Sequence, residues 1–130
     1  MSDTKKPTLC LDFDGVLHSY TSGWKGADVI PDEPVPDAMF FLHQAAWHFD
    51  VQIFSSRSNQ PGGVDAMKAW LRKHLEKTLG EVTGTNVFRA LRFPLEKPPA
   101  LVTIDDRAIC FTGAWPSMQE LKEFKPWNKR

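Results

Sequence analysis

Apolar residues recur along the chain in two patterns, and each pattern predicts a different kind of element. Short apolar or alternating runs bounded by turn residues are typical of strands, which we expect at 8–11, 51–56, 87–93, 100–104 and 108–113. Apolar positions at helical spacing predict helices at 36–48, 64–79 and 116–124. Gly80 is expected to end the second of these helices.

The order of these elements predicts an α/β fold. Helices that join consecutive strands favour right-handed crossovers and a parallel sheet. We therefore expect a doubly wound, three-layer sheet of Rossmann-like form. A chain of 130 residues suits a single domain over 1–130. Because ligands bind outside the carboxyl ends of the strands in such sheets, the residues that follow each strand are the first candidates for a site.

The segment 18–37 is a long stretch rich in Gly, Pro and Asp. Pro31, Pro34 and Pro36 discourage regular structure within it. Long ordered loops in compact domains are commonly functional, so this loop is a candidate functional segment.

Charge and composition narrow the classes of partner. The formal net charge is zero, which argues against a broad electrostatic contact with nucleic acid. Residues 67–130 hold twelve Lys and Arg against seven Asp and Glu, a bias that either attracts an anion or is an ordinary solvated surface. Cys10 and Cys110 lie among apolar residues and are expected to be buried free thiols.

The sequence also predicts a protein without a membrane partner. No apolar run approaches the ~20 residues that a membrane-spanning helix needs. The initial segment "MSDTKKPT" has no apolar stretch of the kind found in secretory signals. We therefore expect a cytoplasmic location.

Polar side chains follow the predicted strands at one edge of the sheet. Asp12 and Asp14 come directly after the first strand, and residues 55–57 (Ser-Ser-Arg) lie at the end of the second. Lys97 precedes the 100–104 strand, and two further acids, residues 105–106, follow that strand directly. Several carboxylates in one crevice repel one another unless a cation joins them, and Mg²⁺ is the hard, oxygen-seeking ion expected there.

This set of residues has a chemical interpretation. A carboxylate can act as a nucleophile toward phosphorus and form an aspartyl-phosphate. A hydroxyl and a lysine can bind the other phosphoryl oxygens and stabilise the charge of the transition state. Because residues i and i+2 of a strand share a side, Asp14 is placed to protonate the leaving oxygen while Asp12 attacks.

The same residues resemble a known family. The segments "DFDGV" (12–16), "IFSSR" (53–57), "EKPPA" (96–100) and "IDD" (104–106) resemble, in order, the four motifs of the haloacid dehalogenase superfamily of phosphohydrolases. The resemblance spans about residues 8–112. "SRSNQPGG" and the tail "FTGAWPSMQELKEFKPWNK" are similar to short members from bacterial and phage genomes. The resemblance implies a Mg²⁺-dependent phosphatase with little or no cap domain.

The resemblance also implies roles for the acids and the lysine. Asp12 would be the nucleophile and a metal ligand, and Asp14 the general acid and base, with its backbone carbonyl on the metal. Lys97 would neutralise charge on the nucleophile and the phosphate. Asp106 would be the direct or water-mediated metal ligand, with Asp105 beside it. The sequence leaves open which of these two acids binds the ion directly.

The remaining candidates concern the substrate. Ser55 would bind the phosphoryl group, with its neighbour Ser56 as the alternative. Gly15 fits the sharp turn that lets backbone amides approach a phosphate. Arg57 either contacts the substrate or caps the following turn. The last two candidates, Trp24 and Lys25, lie in the 18–37 loop, where this superfamily places lids.

The intervals between the motifs hold little more than one helix and one strand, which leaves no room for a folded cap. An open site would admit a large phosphorylated substrate, or a second copy of the chain would close it. One alternative function is a nucleic-acid end phosphatase. Another is a non-catalytic module that binds phosphoryl groups. A glycosyltransferase DxD motif ranks last, because those acids do not come with a partner lysine and a second acid pair.

Overall fold

The structure, a computed structural model, describes residues 5–129. Its elements are β1 (Thr8–Leu11), α1 (Ala38–His48), β2 (Asp50–Ile53), α2 (Gly63–Leu79), α3 (Glu81–Ala90), β3 (Val102–Ile104), α4 (Met118–Lys122) and a 3₁₀ turn at Trp127–Lys129. The first four residues lie outside the described residues. They belong to the initial segment in which we predicted no secretory signal.

The three strands form a parallel sheet with the order β2-β1-β3. Leu9 lies between Val51 and Val102, and the next strand residue on that face, Leu11, lies between Ile53 and Ile104. The parallel α/β sheet is therefore confirmed. Because all three strands run in one direction, the segments that follow them meet at the same edge.

One face of the sheet carries the hydrophobic core. Alternate residues of β1 and β2 pack with α1, α2 and α3, which also contact one another. In α2 the spacing of Met67, Leu71 and Leu75 places these three side chains in the core with no exposed surface. Each such side chain contributes roughly 1.5–3 kcal/mol to folding. This packing holds the carboxyl edge of the sheet in place.

The strand predicted at 87–93 is wrong over most of its length, because residues 81–90 form α3. Val87, Phe88 and Phe93 favour a strand, but packing against α2 overrides that preference. At Gly84 the two helices are so close that an added Cβ would lie 2.7 Å from the backbone of Leu75. Only Arg92 pairs with the sheet, through an isolated parallel bridge to Gln52.

The strand predicted at 108–113 is also wrong. Among the described residues this segment pairs with no strand, and Ile109 and Phe111 are more than half exposed. Cys110 is exposed as well, contrary to expectation, whereas Cys10 is a buried free thiol as predicted. The segment lies beyond β3, whose own three residues already form the edge of the sheet.

The helices predicted at 36–48, 64–79 and 116–124 are present with shifted ends. The first predicted helix begins at Ala38, and the last covers only Met118–Lys122. The second predicted strand ends at Ile53, three residues early. Within residues 5–129, every helix is too short or too polar to cross a bilayer.

Candidate functional site

Three carboxyl groups meet where β1 and β3 end. Asp12, Asp105 and Asp106 each offer an oxygen atom, and these atoms lie within 4.8 Å of one another. The Asp12 backbone N–H donates to the Ile104 carbonyl at 3.0 Å, which extends the sheet pairing to the end of β1. The cluster is thus a direct consequence of the parallel register.

Burial and the neighbouring acids change the protonation of Asp12. Burial, followed by a hydrogen bond with Asp106 and the nearby charge of Asp105, raises the pKa of Asp12 to about 8. A hydrogen bond from the backbone lowers this pKa, because the Phe13 N–H donates to Asp12 Oδ1 at 2.8 Å. The protein alone therefore favours a proton on Asp12 at neutral pH.

A cavity of about 170 Å³ adjoins the cluster. Its lining residues come from four separate segments of the chain: Cys10, Asp12, Phe54, Ser55, Ser56, Lys97, Thr103 and Asp105. Lys97 is exposed, and within residues 5–129 no ion pair engages its ammonium group. The cavity thus combines two acids, three hydroxyls and the ammonium group of Lys97.

Ser55 is fixed in the wall of this cavity. Its backbone N–H donates to Ser58 Oγ at 3.0 Å, and its own Oγ accepts from the Arg57 N–H at 3.1 Å. Because a hydroxyl carries one proton as well as its lone pairs, Ser55 can still donate to a bound anion. Ser56 lies beside it and is exposed.

Gly15 allows Asp106 to approach the turn after β1. It has a φ of +80°, and a Cβ at this position would overlap Asp106 Oδ2 and lie 2.8 Å from Asp106 Cγ. Only glycine therefore fits both the backbone conformation and the space.

Asp14 faces different partners from Asp12. Its carboxylate accepts from Arg57 Nε at 2.9 and 3.2 Å and lies 2.9 Å from His18 Nδ1. Burial alone would raise the pKa of Asp14, but the hydrogen bonds from His18 and Arg57, together with the charge of Arg57, lower it below its ordinary value. Asp14 is therefore ionised, and its side chain is not part of the three-acid cluster.

Arg57 connects Asp14 to the 18–37 loop. Its side chain is completely buried, and Nη1 donates to the carbonyls of Gly26, Ala27 and Val29 at 2.8–3.0 Å. The Trp24 ring covers the guanidinium, with 4.7 Å between the ring centroid and Cζ. This loop is therefore folded back onto the turn after β1.

The structure brings together some of the predicted site residues and separates others. Asp12, Ser55, Ser56, Lys97 and Asp105 share the cavity, Asp106 adjoins it, and Gly15 contacts Asp106. Trp24, Lys25 and Arg57 are not among the described residues that line it. Trp24 reaches the site only indirectly, through Arg57 and Asp14, and Lys25 is exposed in the same loop.

Sequence reasoning missed the importance of His18. This residue is completely buried, stacks on Phe13 and accepts the Asp32 N–H on Nε2 at 3.1 Å. That bond leaves the proton on Nδ1, from which it is donated to Asp14. The four-residue interval from Asp14 was the signal available in the sequence.

The donor set fits a divalent cation. Mg²⁺ takes oxygen ligands, and proteins usually bind it through one or two carboxylates together with waters and the phosphate oxygens of a substrate. Here burial and the hydrogen bond with Asp106 favour the protonated form of Asp12, and a bound cation would favour the ionised form instead. Asp12 and Asp106, with Asp105 beside them, are the residues that would hold the ion.

In comparisons with known proteins, no family model, curated protein or solved structure matched the chain.

Proposed function

We propose that the protein is a Mg²⁺-dependent phosphomonoester hydrolase that acts through an aspartyl-phosphate on Asp12. The observation that supports this most is the meeting of three carboxylates with Ser55 and Lys97 around one small cavity. Structural acids rarely need a lysine and a hydroxyl from other segments beside them. The activity agrees with the resemblance of these residues to the haloacid dehalogenase motifs.

The side chains have distinct roles in this reaction. Asp12 attacks phosphorus and displaces the leaving group, and water then cleaves the acyl-phosphate to regenerate Asp12. Ser55 and Lys97 hold phosphoryl oxygens and offset the charge that develops on them. Asp14 would pass a proton to the leaving oxygen and later accept one from water. When bound, Mg²⁺ would supply positive charge that keeps Asp12 ionised and screens it from the phosphate.

The size of the cavity indicates how the substrate is recognised. Sites for drug-sized molecules occupy roughly 300–1,000 Å³. A space of about 170 Å³ suits a phosphoryl group, so the rest of the substrate would lie outside it. This favours a phosphorylated end on a larger molecule, either a nucleic-acid terminus or a phosphoprotein.

We also propose that the sheet is the centre of a doubly wound, Rossmann-like core with minimal or no cap. The bridge at Arg92 supports a further strand position beside β2. The loop from Phe93 to Leu101 then leads from this position to β3 and carries Lys97 to the site.

The proposal is tested by phosphate release from p-nitrophenyl phosphate with Mg²⁺ and with EDTA. Asp12→Asn is expected to lower turnover by on the order of 10³-fold or more, because it removes the nucleophile. Asp65→Asn is the matched control, since Asp65 is exposed on α2. Unchanged turnover in Asp12→Asn would refute the nucleophile. A panel of phosphorylated oligonucleotides, phosphopeptides and sugar phosphates then separates the substrate classes.

A second candidate, a module that binds phosphoryl groups without turnover, is favoured by one observation. Asp14 is ionised and paired with Arg57 and His18, whereas a general acid must carry a proton. Mg²⁺-dependent binding of inorganic phosphate, without hydrolysis of any ester in the panel, would support this candidate over the phosphatase.

A further inference from the structure

The end of the chain returns to the turn that follows β1. Residues 117–123 are exposed, but Pro126 is buried. A 3₁₀ turn follows Pro126, and in it the Lys129 N–H donates to the Pro126 carbonyl. Trp127 Nε1 donates to the Gly15 carbonyl at 2.8 Å. The next residue, Asn128, donates from Nδ2 to the Ser19 carbonyl at 3.4 Å. Two consecutive side chains thus bind two nearby carbonyls, those of Gly15 and Ser19.

Gly15 lies within the tight turn from Phe13 to His18, and Ser19 follows that turn directly. The Leu17 and His18 N–H groups both donate to the Phe13 carbonyl, and the Gly15 N–H donates to the His18 carbonyl at 2.8 Å. On one side of Gly15 lies the carboxylate of Asp106, and on another lies the indole of Trp127. The position of the Gly15 peptide therefore depends on the acid cluster and on the tail together.

We infer that Trp127 is a positioning residue, whose indole N–H holds the Gly15 turn in register with Asp12 and Asp106. The inference rests on the proposed function for its effect on turnover, although not for its effect on the turn. Trp127 is 53% exposed, and the specific contact that it makes is the hydrogen bond from its indole N–H to the Gly15 carbonyl. Its contribution is therefore directional: it fixes one carbonyl next to the residues that would hold the cation and the phosphoryl group.

The test compares Trp127→Phe with Trp47→Phe. The first substitution keeps an aromatic ring but removes the N–H donor and part of the indole ring, and the second removes the same atoms at a site without the hydrogen bond. Trp47 is 74% exposed on α1, and within residues 5–129 it makes no hydrogen bond, so it supplies the matched control. Backbone amide exchange at Leu17 and His18 is measured without metal, and Mg²⁺ affinity is measured by calorimetry with the metal alone.

Loss of one hydrogen bond corresponds to about a three- to tenfold change in an equilibrium. Trp127→Phe is expected to accelerate exchange at Leu17 and His18 and to weaken Mg²⁺ binding by about this factor. It should lower kcat for p-nitrophenyl phosphate while leaving KM nearly unchanged, and it should lower the unfolding temperature by only about 2–6 °C. The control variant should match the wild-type protein in every measurement.

Amide exchange in Trp127→Phe equal to that in Trp47→Phe would overturn the inference. Faster exchange in a protein whose wild type hydrolyses no phosphoester would overturn the proposed function and retain the positioning role. If Trp127→Phe does not fold, the rate of indole N–H exchange in the wild-type protein tests the inference instead. Protection of the Trp127 indole relative to that of Trp47 supports the inference, and equal exchange refutes it.

Discussion

The Nε atom of Arg57 lies 2.9 Å from Asp14 Oδ2 and 3.2 Å from Asp14 Oδ1, so one buried donor engages both oxygens of the carboxylate. The same guanidinium binds three carbonyls of the 18–37 loop. A single side chain therefore fixes the charge of Asp14 and the path of the loop, and both should fail together when it is removed.

Arg57→Met is expected to lower the free energy of unfolding by roughly 3–5 kcal/mol, because it leaves the Asp14 carboxylate buried and without its cation. Urea unfolding at pH 7 measures this change. The matched control is Arg92→Met: Arg92 is 67% exposed and pairs with Asp50 at 3.3 Å, so its loss should cost less than about 1 kcal/mol. Equal effects of the two substitutions would contradict the structural role of Arg57.

The raised pKa of Asp12 predicts how stability varies with pH in the metal-free protein. A carboxyl group whose folded-state pKa exceeds its unfolded-state value stabilises the fold through its bound proton. That contribution is complete below the ordinary value of 3.8, declines as the pH rises, and is lost above about 8. The unfolding temperature of the metal-free protein should therefore fall between pH 6 and pH 9.

Two comparisons isolate the contribution of Asp12 to this trend. Asp12→Asn has no proton to lose, so its unfolding temperature should fall less over the same range and exceed that of the wild type at pH 9. Mg²⁺ should restore wild-type stability at pH 9, because it binds the ionised acids of the folded state. Parallel curves for the wild type and Asp12→Asn would show that Asp12 keeps an ordinary pKa.

Much of the site followed from the order of the elements. Apolar periodicity identified β1, α1 and α2, and the parallel sheet then required the residues after β1, β2 and β3 to meet. The meeting of Asp12 with Asp105 and Asp106 is therefore a consequence of topology and was predictable from the sequence.

Other features depend on contacts that leave no local signal. The helix α3 packs closely on α2 at Gly84, although residues 87–93 have a preference for a strand. The sequence predicted that Arg57 contacts the substrate or caps the following turn, and it gave no sign of the buried position, because the side-chain partners lie 28 or more residues away. The bond from Trp127 to Gly15 spans 112 residues.

Lys97 should affect turnover without affecting stability. It lines the cavity beside Asp12, is exposed, and lies in a loop, so Lys97→Met should change the free energy of unfolding by less than about 0.5 kcal/mol. Loss of its charge from the transition state should lower kcat by about 10²-fold. Lys77→Met, on the exposed end of α2, should leave kcat unchanged, and an equal loss in both variants would argue against a role for Lys97.

Gly15 provides the sharpest test of the geometry around Asp106. Gly15→Ala introduces a strained positive φ, which costs roughly 1–3 kcal/mol, and also a Cβ that overlaps the Asp106 carboxylate. Gly113→Ala carries the first cost alone, since Gly113 has a φ of +100° and nothing within 4 Å of an added Cβ. Both variants should therefore unfold at lower urea concentrations than the wild type, but only Gly15→Ala should displace Asp106 and weaken Mg²⁺ binding measured by calorimetry. Equal Mg²⁺ affinity in the two variants would mean that Asp106 does not hold the ion from the position it occupies beside Gly15.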